Sequence, residues 1–173
     1  MLNIKVELDV NSIDKAIKEL KDYEQSLNDK LITFMTALLQ DGTVEAQNRL
    51  ASTVGDATHA TVTASQPVII GDKVVATISL VGSEALFIEF GAGIAYNTGM
   101  QHPKADEFGY GPGTYPSKTP PNKAINPGRW IYGKAADGSP LWSIGTQASM
   151  PIYYASETIR NNAIRRAMET LRS

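Results

Sequence analysis

Three side chains are the main candidates for acid–base or metal chemistry, namely Glu89, His59 and His102. Glu89 is a lone acid in an apolar block and could act as a general base, yet no partner for it is visible in the sequence. We therefore expect its carboxylate on the outer side of a short helix or paired across a subunit interface. His102 could bind a metal ion with Asp106 and Glu107, but side chains in so polar a loop are usually solvated.

Neither histidine has the two-histidine helical spacing that is typical of zinc sites. The chain has zero cysteines, which excludes thiolate zinc sites and cysteine nucleophiles. The segments Gly91-Ala92-Gly93 and 109–113 lack the third glycine or the Gly-Lys-Ser/Thr of a nucleotide site, and there is no Gly-x-Ser-x-Gly elbow. We predict no cofactor, no metal and no enzymatic activity. A small metal-dependent hydrolase built on Glu89 and His102 is the alternative of a different class.

The charge is unevenly distributed along the chain. Residues 1–60 carry 6 Lys/Arg against 10 Asp/Glu, whereas residues 123–173 carry 7 against 3. Two interpretations stay open, because the acidic front and basic tail could pair head to tail between copies or be ordinary solvated helix faces. The net charge of −2 argues against sequence-specific nucleic-acid binding. No apolar stretch approaches the roughly 20 residues that span a bilayer, so no membrane association is expected.

The elements that position these residues begin with a strand and a long helix. Residues 2–9 alternate apolar and polar side chains, which predicts a half-buried strand. Asn11 or Ser12 offers an N-cap oxygen, and the helix is predicted to run to about Val54. Its apolar stripe recurs at steps of three, four and seven residues and consists of Ile13, Ile17, Leu20, Leu27, Leu31, Phe34 and Leu38.

A hairpin follows this helix. Residues 61–70 and 74–81 are rich in β-branched side chains and predict two strands. Gly71-Asp72 is a two-residue turn signal between them. Pro67 cannot donate a ladder hydrogen bond, so we expect an edge or a bulge at that position.

The apolar block 85–93 ends on glycine and opens into a loop of about 35 residues, although compact domains seldom keep loops beyond about 12–15 residues without a functional reason. Ser83 is expected to cap a short helix through Phe90, and Gly91 to end it in a left-handed conformation. The tract 92–127 is dense in glycine and proline, with aromatic residues among them. We predict an irregular, mobile arm that becomes ordered on contact with a partner.

The last third of the chain predicts a second hairpin and a terminal helix. Residues 129–132 and 140–144 flank the turn signal 136–138. Pro151 suits the first turn of a helix, and the apolar face of that helix is formed by Ile152, Ala155, Ile159, Ala163, Ala167 and Leu171. The whole chain predicts a single α+β domain, residues 1–173. In it, a small, mostly antiparallel sheet packs against a long N-terminal helix and a C-terminal helix, with a long extended loop at about 92–127.

These features resemble a known family, the tail-completion or head–tail joining (neck) proteins of long-tailed bacteriophages, lambdoid minor-tail type. The order of strand, long helix, hairpin and short apolar helix is similar. Residues 85–93 look like the family's apolar helix closing on Val-Glu-x-Gly-Thr, and residues 145–155 look like its small-residue run into Pro-Phe-aromatic-Pro-Ala. The chain departs from the pattern at Ala92 (usually Thr), at Ile152 (usually Phe) and at Ser156, near where a Pro-Ala pair is expected.

The resemblance implies a structural virion protein that joins the phage head connector to the tail, made in the cytoplasm of the host bacterium. It would form an oligomer, a hexameric ring, and contact a head connector or adaptor protein and a tail tube or terminator protein, with DNA able to pass through the ring. A tail terminator or minor capsid protein is the alternative within this class. Assembly contacts are expected at Phe87, Glu89, Phe90, Gly91, Gly93, Tyr110, Tyr115, Pro151, Tyr153 and Tyr154.

Overall fold

A computed structural model of the chain describes residues 9–93, 100–112 and 129–172. It confirms the α+β architecture, with a long N-terminal helix, small β-ladders and a C-terminal helix. Of the predicted strand at 2–9, residues 2–8 lie outside the described residues. The elements in chain order are α1 (Val10–Ala51), β1 (Thr61–Ala64), β2 (Val68–Ile70), β3 (Lys73–Val75), β4 (Ile78–Val81), α2 (Ala85–Phe90), β5 (Ala92–Gly93), α3 (Ala105–Phe108), β6 (Gly111–Pro112), β7 (Trp130–Lys134), β8 (Pro140–Ser143) and α4 (Pro151–Leu171).

The long helix α1 begins directly after Asp9, whose Oδ1 accepts the backbone N–H of Ser12 at 3.0 Å. The prediction of Asn11 or Ser12 as the N-cap is therefore wrong, because an acid assigned to the preceding strand caps the helix instead. The helix ends at Ala51, slightly before the predicted Val54.

Helices α1 and α4 pack against each other in antiparallel directions. Gly42 does not break α1, and its missing side chain makes room for Ile159 of α4, whose Cδ1 lies 2.7 Å from where a Cβ would be. Next to it, Asp41 accepts two hydrogen bonds from the guanidinium of Arg166, at 2.6 and 2.9 Å, and one from Asn162 Nδ2 at 2.8 Å. The Arg166 guanidinium holds the pKa of the Asp41 carboxyl below its ordinary value, an effect that burial partly opposes.

The predicted two-strand hairpin is a longer ladder in two parts. β1 pairs with β4 and β2 pairs with β3, both antiparallel, and the turn lies at Gly71-Asp72 as predicted. The ladder is interrupted where the N–H of Ser65 donates to Thr77 O and the N–H of Thr77 donates to Ser65 Oγ, each at 2.9 Å. Pro67 lies at this interruption, as its missing N–H predicts.

The core lies between the second half of α1, the first half of α4 and the hairpin. Its buried residues are Ala46, Val62 and Ala155, with Leu50, Ile78 and Leu80 packed against them. These side chains come from all three elements, which holds the hairpin in the groove between the two helices. The second predicted hairpin is confirmed as β7 and β8, with an irregularity in the register between Ile131 and Gly133.

Short backbone segments from four parts of the chain meet beside α2. Ala92 and Thr146 exchange both backbone hydrogen bonds, at 2.9 and 3.0 Å. Thr146 also bridges Gly55 on its other side, and β5 pairs in parallel with β6. Gly145 has a φ of +102°, and a Cβ there would collide with the carbonyl oxygen of Ala92, so only glycine fits at this crossing.

Part of the predicted loop has regular secondary structure. Residues 100–112 contain α3 and β6, so the expectation of an irregular tract throughout 92–127 is wrong for this part, and residues 94–99 and 113–128 lie outside the described residues. α2 begins at Ala85 after Glu84, without a side-chain cap from Ser83, and ends at Gly91 with a φ of +76° as a glycine stop requires. Its ψ of 165° places Gly91 outside the left-handed helical region. No helix among the described residues is long and apolar enough to cross a bilayer.

Candidate functional site

The carboxylate of Glu89 lies at the N-terminus of α4. Its Oε2 accepts the backbone N–H of Ile152 and its Oε1 that of Tyr153, both at 2.9 Å. The residue is 8% exposed. Glu89 therefore points inward and joins α2 to α4, so the expectation that it lies on the outer side of a short helix or across a subunit interface is wrong.

α4 needs this external cap because its own N-terminal residues cannot supply one. The N-cap residue is Met150, which has a left-handed backbone (φ 55°, ψ 50°) and makes no side-chain cap hydrogen bond. Pro151 follows and has no N–H, so Ile152 and Tyr153 carry the first N–H groups that lack an intrahelical partner. The negative charge of Glu89 also lies at the positive end of the α4 dipole.

His102 is the second polar side chain in this buried region. Its Nδ1 accepts the backbone N–H of Lys104 at 3.0 Å, and its Nε2 lies 3.4 Å from Glu89 Oε1. The accepting Nδ1 assigns the proton of the neutral ring to Nε2, facing the carboxylate. Burial lowers the pKa of His102, and the Glu89 charge offsets part of that effect. The imidazole thus fastens residues 100–112 to α2.

Aromatic rings surround this pair. The Phe90 ring lies 4.4 Å from the His102 ring and 5.6 Å from that of Tyr110, measured between centroids. The His102 ring lies edge-on to Tyr153 at 5.3 Å. We call Glu89, Phe90, His102 and Tyr153 the Glu89 cluster. It connects α2, α4 and the 100–112 segment through one set of contacts.

Glu89 and His102 are residue types that can form a catalytic acid–base pair, but here both are hydrogen-bonded within the fold. Both oxygens of Glu89 already accept backbone N–H groups, and Nδ1 of His102 already accepts one as well. A general base needs a lone pair within reach of a substrate proton, and here Glu89 is only 8% and His102 only 7% exposed. The arrangement stabilises the joint between three elements.

The candidate metal ligands weighed in the sequence analysis do not come together. His102 is buried and turned toward Glu89, so the expectation of a solvated side chain is wrong. Asp106 accepts a hydrogen bond from Gln101 Nε2 at 3.3 Å, and Glu107 is exposed. His59 contacts Glu84, with Nδ1 at 3.1 Å from Oε2. Across the described ranges, no group of three or more His, Cys, Asp or Glu side chains could hold a metal ion.

The predicted assembly residues separate into two groups. The structure buries Glu89, Phe90, Gly91, Gly93 and Pro151 inside the single chain, so none of these five lies on its surface. The partly accessible ones are Phe87, Tyr110, Tyr153 and Tyr154. Tyr115 lies outside the described residues.

A pocket of about 220 Å³ lies beside the start of α4. Its charged lining residue is Arg49, whose guanidinium stacks on the Tyr154 ring at 3.6 Å and pairs with Glu45 at 2.8 Å. Because the cation is already paired, the pocket offers no strong attraction to an anion. Gln147 and Met150 also line the pocket.

Sequence reasoning missed Thr146, which is 3% exposed and whose Oγ1 accepts the N–H of Ala57 at 3.0 Å. It also missed the polar contact between Thr53 Oγ1 and Ser149 Oγ, at 2.8 Å. The sequence feature that bears on these contacts is the run of small residues before Pro151. It allows another backbone segment to approach closely, but it does not show which segment that is.

Searches against protein-family models, curated proteins and solved structures found no match for this chain.

Proposed function

We propose that this chain is a structural protein of a long-tailed phage particle, a neck or tail-completion component that joins the head connector to the tail. One observation supports it most. The two segments with the family-like motifs, 85–93 and 145–155, are far apart in the sequence but contact each other directly. Glu89 caps α4, Ala92 pairs with Thr146, and the N–H of Ser149 donates to Ile88 O at 3.0 Å.

A protein that acts through assembly must expose surface for its neighbours. The tip of the β2–β3 hairpin exposes Val68, Ile69, Ile70 and Val75, of which Ile70 is 62% accessible. A cluster of exposed apolar side chains often marks an interaction surface, whereas single exposed apolar residues are common on any protein. The hairpin tip would contact the next subunit or the neighbouring virion protein.

The charge distribution suits repeated contacts between copies. The acidic first third and the basic last third of the chain can pair between neighbours. A contact between two different surfaces of the same protein is heterologous, and it forms a closed ring when its rotation closes. A hexameric ring around the path of the DNA is the form that the resemblance implies.

Two further functions compete with this proposal. A tail terminator or minor capsid protein would use the same kind of surface in another layer of the particle. A small metal-dependent hydrolase would use Glu89 and His102, and it is disfavoured because both side chains are buried and hydrogen-bonded within the fold.

The deciding experiment is induction of phage particles from the bacterium that encodes the chain, followed by quantitative mass spectrometry of the purified particles. We expect this chain in the particles in few copies relative to the major capsid protein. Negative-stain electron microscopy of particles from a deletion strain should show separate heads and tails. Joined particles without the chain, or its absence from particles, would contradict the proposal.

The enzyme alternative has its own measurement. Native mass spectrometry with and without a chelator, together with ester and phosphoester hydrolysis assays, should show no metal-dependent mass and no turnover. A hydrolytic activity that disappears in Glu89→Gln while the circular dichroism spectrum is unchanged would favour the hydrolase instead.

A further inference from the structure

The N-terminal half of α1, residues 10–28, carries apolar side chains that the described part of the chain leaves exposed. Between 41% and 73% of the surface of each is accessible, and they are Val10, Ile13, Ile17, Leu20 and Leu27. We call these five residues the α1 stripe. Isolated exposed apolar residues are common on protein surfaces, but a row along one face of a helix is characteristic of a partner helix.

The α1 stripe is exposed because α4 is the shorter helix. α4 runs antiparallel along α1, and near its end Thr170 shares a shallow groove with Asp29, Lys30 and Thr33. α1 starts about 20 residues before this point, so about 30 Å of helix extends past the end of α4. The second half of α1 is covered by α4 and the hairpin, whereas the first half continues the same face without that cover.

The spacing of the stripe is that of a coiled coil. Apolar residues follow the alternating steps of three and four that keep one seam facing a partner helix. In heptad terms Val10 and Ile17 are a positions, and Ile13, Leu20 and Leu27 are d positions. The seam continues through Leu31, Phe34 and Leu38. Its one polar member in the exposed half is Glu24, at an a position.

We propose that the α1 stripe binds the α1 stripe of a second copy of this chain, with the two helices antiparallel. In that arrangement a positions face d positions of the other helix. Val10 then lies opposite Leu27 and Ile17 opposite Leu20, so one symmetric register gives apolar layers at both of these levels, while Glu24 lies opposite Ile13.

Charge favours this orientation over the parallel one. Asp14 and Lys21 occupy the e positions that flank the seam and are both exposed. In the antiparallel register Asp14 of each copy lies opposite Lys21 of the other, which gives two opposite-charge contacts. A parallel pair would instead place the two Glu24 carboxylates in the same core layer, where like charges repel in a low-dielectric seam.

The contact is isologous, because the same surface is used on both copies, and it therefore closes at two subunits. It is distinct from the heterologous contacts that a ring requires. The inference stands independently of the proposed function, since it concerns the free protein and is tested without a phage particle.

Sedimentation equilibrium of the full chain over a range of concentrations tests the pairing. We expect a monomer–dimer equilibrium. Leu20→Lys, at the centre of the seam, should weaken it at least tenfold because a buried ammonium replaces a central apolar contact. Ser26→Lys adds the same charge on the opposite face of the same helix and should leave the dissociation constant within about twofold. Equal weakening by both variants, or a wild-type monomer at every concentration, would overturn the proposal.

Charge reversal tests the orientation. Asp14→Lys and Lys21→Asp should each weaken the dimer about tenfold at low salt, because each creates two like-charge contacts. The double variant restores opposite charges and should recover wild-type affinity. Additive weakening in the double variant would contradict the antiparallel register.

Disulfide crosslinking is a second test of the orientation of the two helices. Introduced cysteines can be used because the sequence has no cysteine of its own. A mixture of Ile13→Cys and Glu24→Cys chains should form a disulfide-linked heterodimer on oxidation. Each variant alone should not, because in this register two copies of position 13 are about 16 Å apart, too far for a disulfide. Efficient crosslinking of each variant with itself would show a parallel pair and reject the proposal.

The competing occupant of the stripe is residues 1–8 of the same chain, which carry four apolar residues at alternate positions. Ala16, beside the stripe, is buried. Deletion of residues 1–8 separates the two. We expect the shortened chain to dimerise as tightly as the full chain. Dimerisation that appears only after the deletion would assign the stripe to residues 1–8 and overturn the proposal.

Discussion

Oε1 of Glu89 accepts the backbone N–H of Tyr153 at 2.9 Å, although 64 residues separate the two in the sequence. Oε2 takes the N–H of Ile152 in the same way. One carboxylate on a short helix thus caps a different and much longer helix. The cap holds the first turn of α4 against α2.

Removal of this charge should destabilise the fold. Glu89→Gln keeps one acceptor oxygen but turns an amide donor toward a backbone N–H, which leaves that N–H without an acceptor. We expect the free energy of unfolding to fall by about 2 kcal/mol, measured by urea denaturation. Glu107→Gln, on the exposed face of α3, is the control and should change it by less than about 0.5 kcal/mol. Equal values for the two variants would show that the cap contributes nothing measurable.

His102 should make stability fall in mild acid. Burial holds its pKa below the ordinary value of 6.5 in the folded chain, so the unfolded chain binds the proton more readily. The stabilisation is complete above the unfolded-state pKa and is lost as the pH falls toward the folded-state pKa. We expect the free energy of unfolding to drop between about pH 7.5 and 5.5, and to drop less in His102→Gln. The same slope in both proteins would mean that another group is responsible.

Gly145 should tolerate no side chain, for a reason that goes beyond its backbone angle. Gly145→Ala places a methyl group against the carbonyl oxygen of Ala92, whereas Gly138 has a similarly positive φ of +85° but open space around it. Gly138→Ala should therefore cost only the backbone strain, about 1–2 kcal/mol. Gly145→Ala should cost about 2 kcal/mol more. The comparison is made by thermal and chemical denaturation, and similar losses for both would remove the close approach as the cause.

The two aliphatic residues of α2 should differ sharply. Ile88 is 0% exposed and Leu86 is 50% exposed. Ile88→Ala opens a cavity in the protein interior and should lower the free energy of unfolding by about 2–5 kcal/mol. Leu86→Ala, two residues earlier, should lower it by less than about 1 kcal/mol. A larger effect for Leu86→Ala in dilute protein would mean that the buried face of α2 is wrongly assigned.

The periodic parts of the chain were predictable because their signals are local. The long α1, the turn at Gly71-Asp72, the second hairpin and Pro151 at the start of α4 follow from spacing and backbone chemistry within a few residues. The residues that cap the helices were harder to predict from the sequence. Asp9 fits a strand pattern as well as a cap. Glu84 rather than Ser83 directly precedes α2, and its carboxylate accepts the N–H groups of Thr58 and His59 instead of capping the helix.

The Glu89 cluster could not be predicted from the sequence, because its partners are tertiary. No spacing rule connects Glu89 to the N–H groups of α4 or to His102. A lone acid in an apolar block suggests an outward-facing carboxylate, yet this one is buried because α4 begins with Met150 and Pro151, neither of which can cap it. The local sequence around Pro151 lacks a side chain that could cap α4. It therefore indicates that the first N–H groups of α4 need an acceptor from elsewhere, but it does not identify that acceptor.

The distance in sequence between Glu89 and α4 has a consequence for synthesis. α4 is synthesised after α2, so until α4 is complete Glu89 lacks its two N–H donors and Ala92 lacks Thr146. A chain that ends before α4 leaves the Glu89 carboxylate without its N–H donors and the backbone of Ala92 without its partner. In the chain with α4 both are hydrogen-bonded. Truncated products should therefore stay unfolded and be degraded, which keeps incomplete subunits out of any assembly that the finished chain enters.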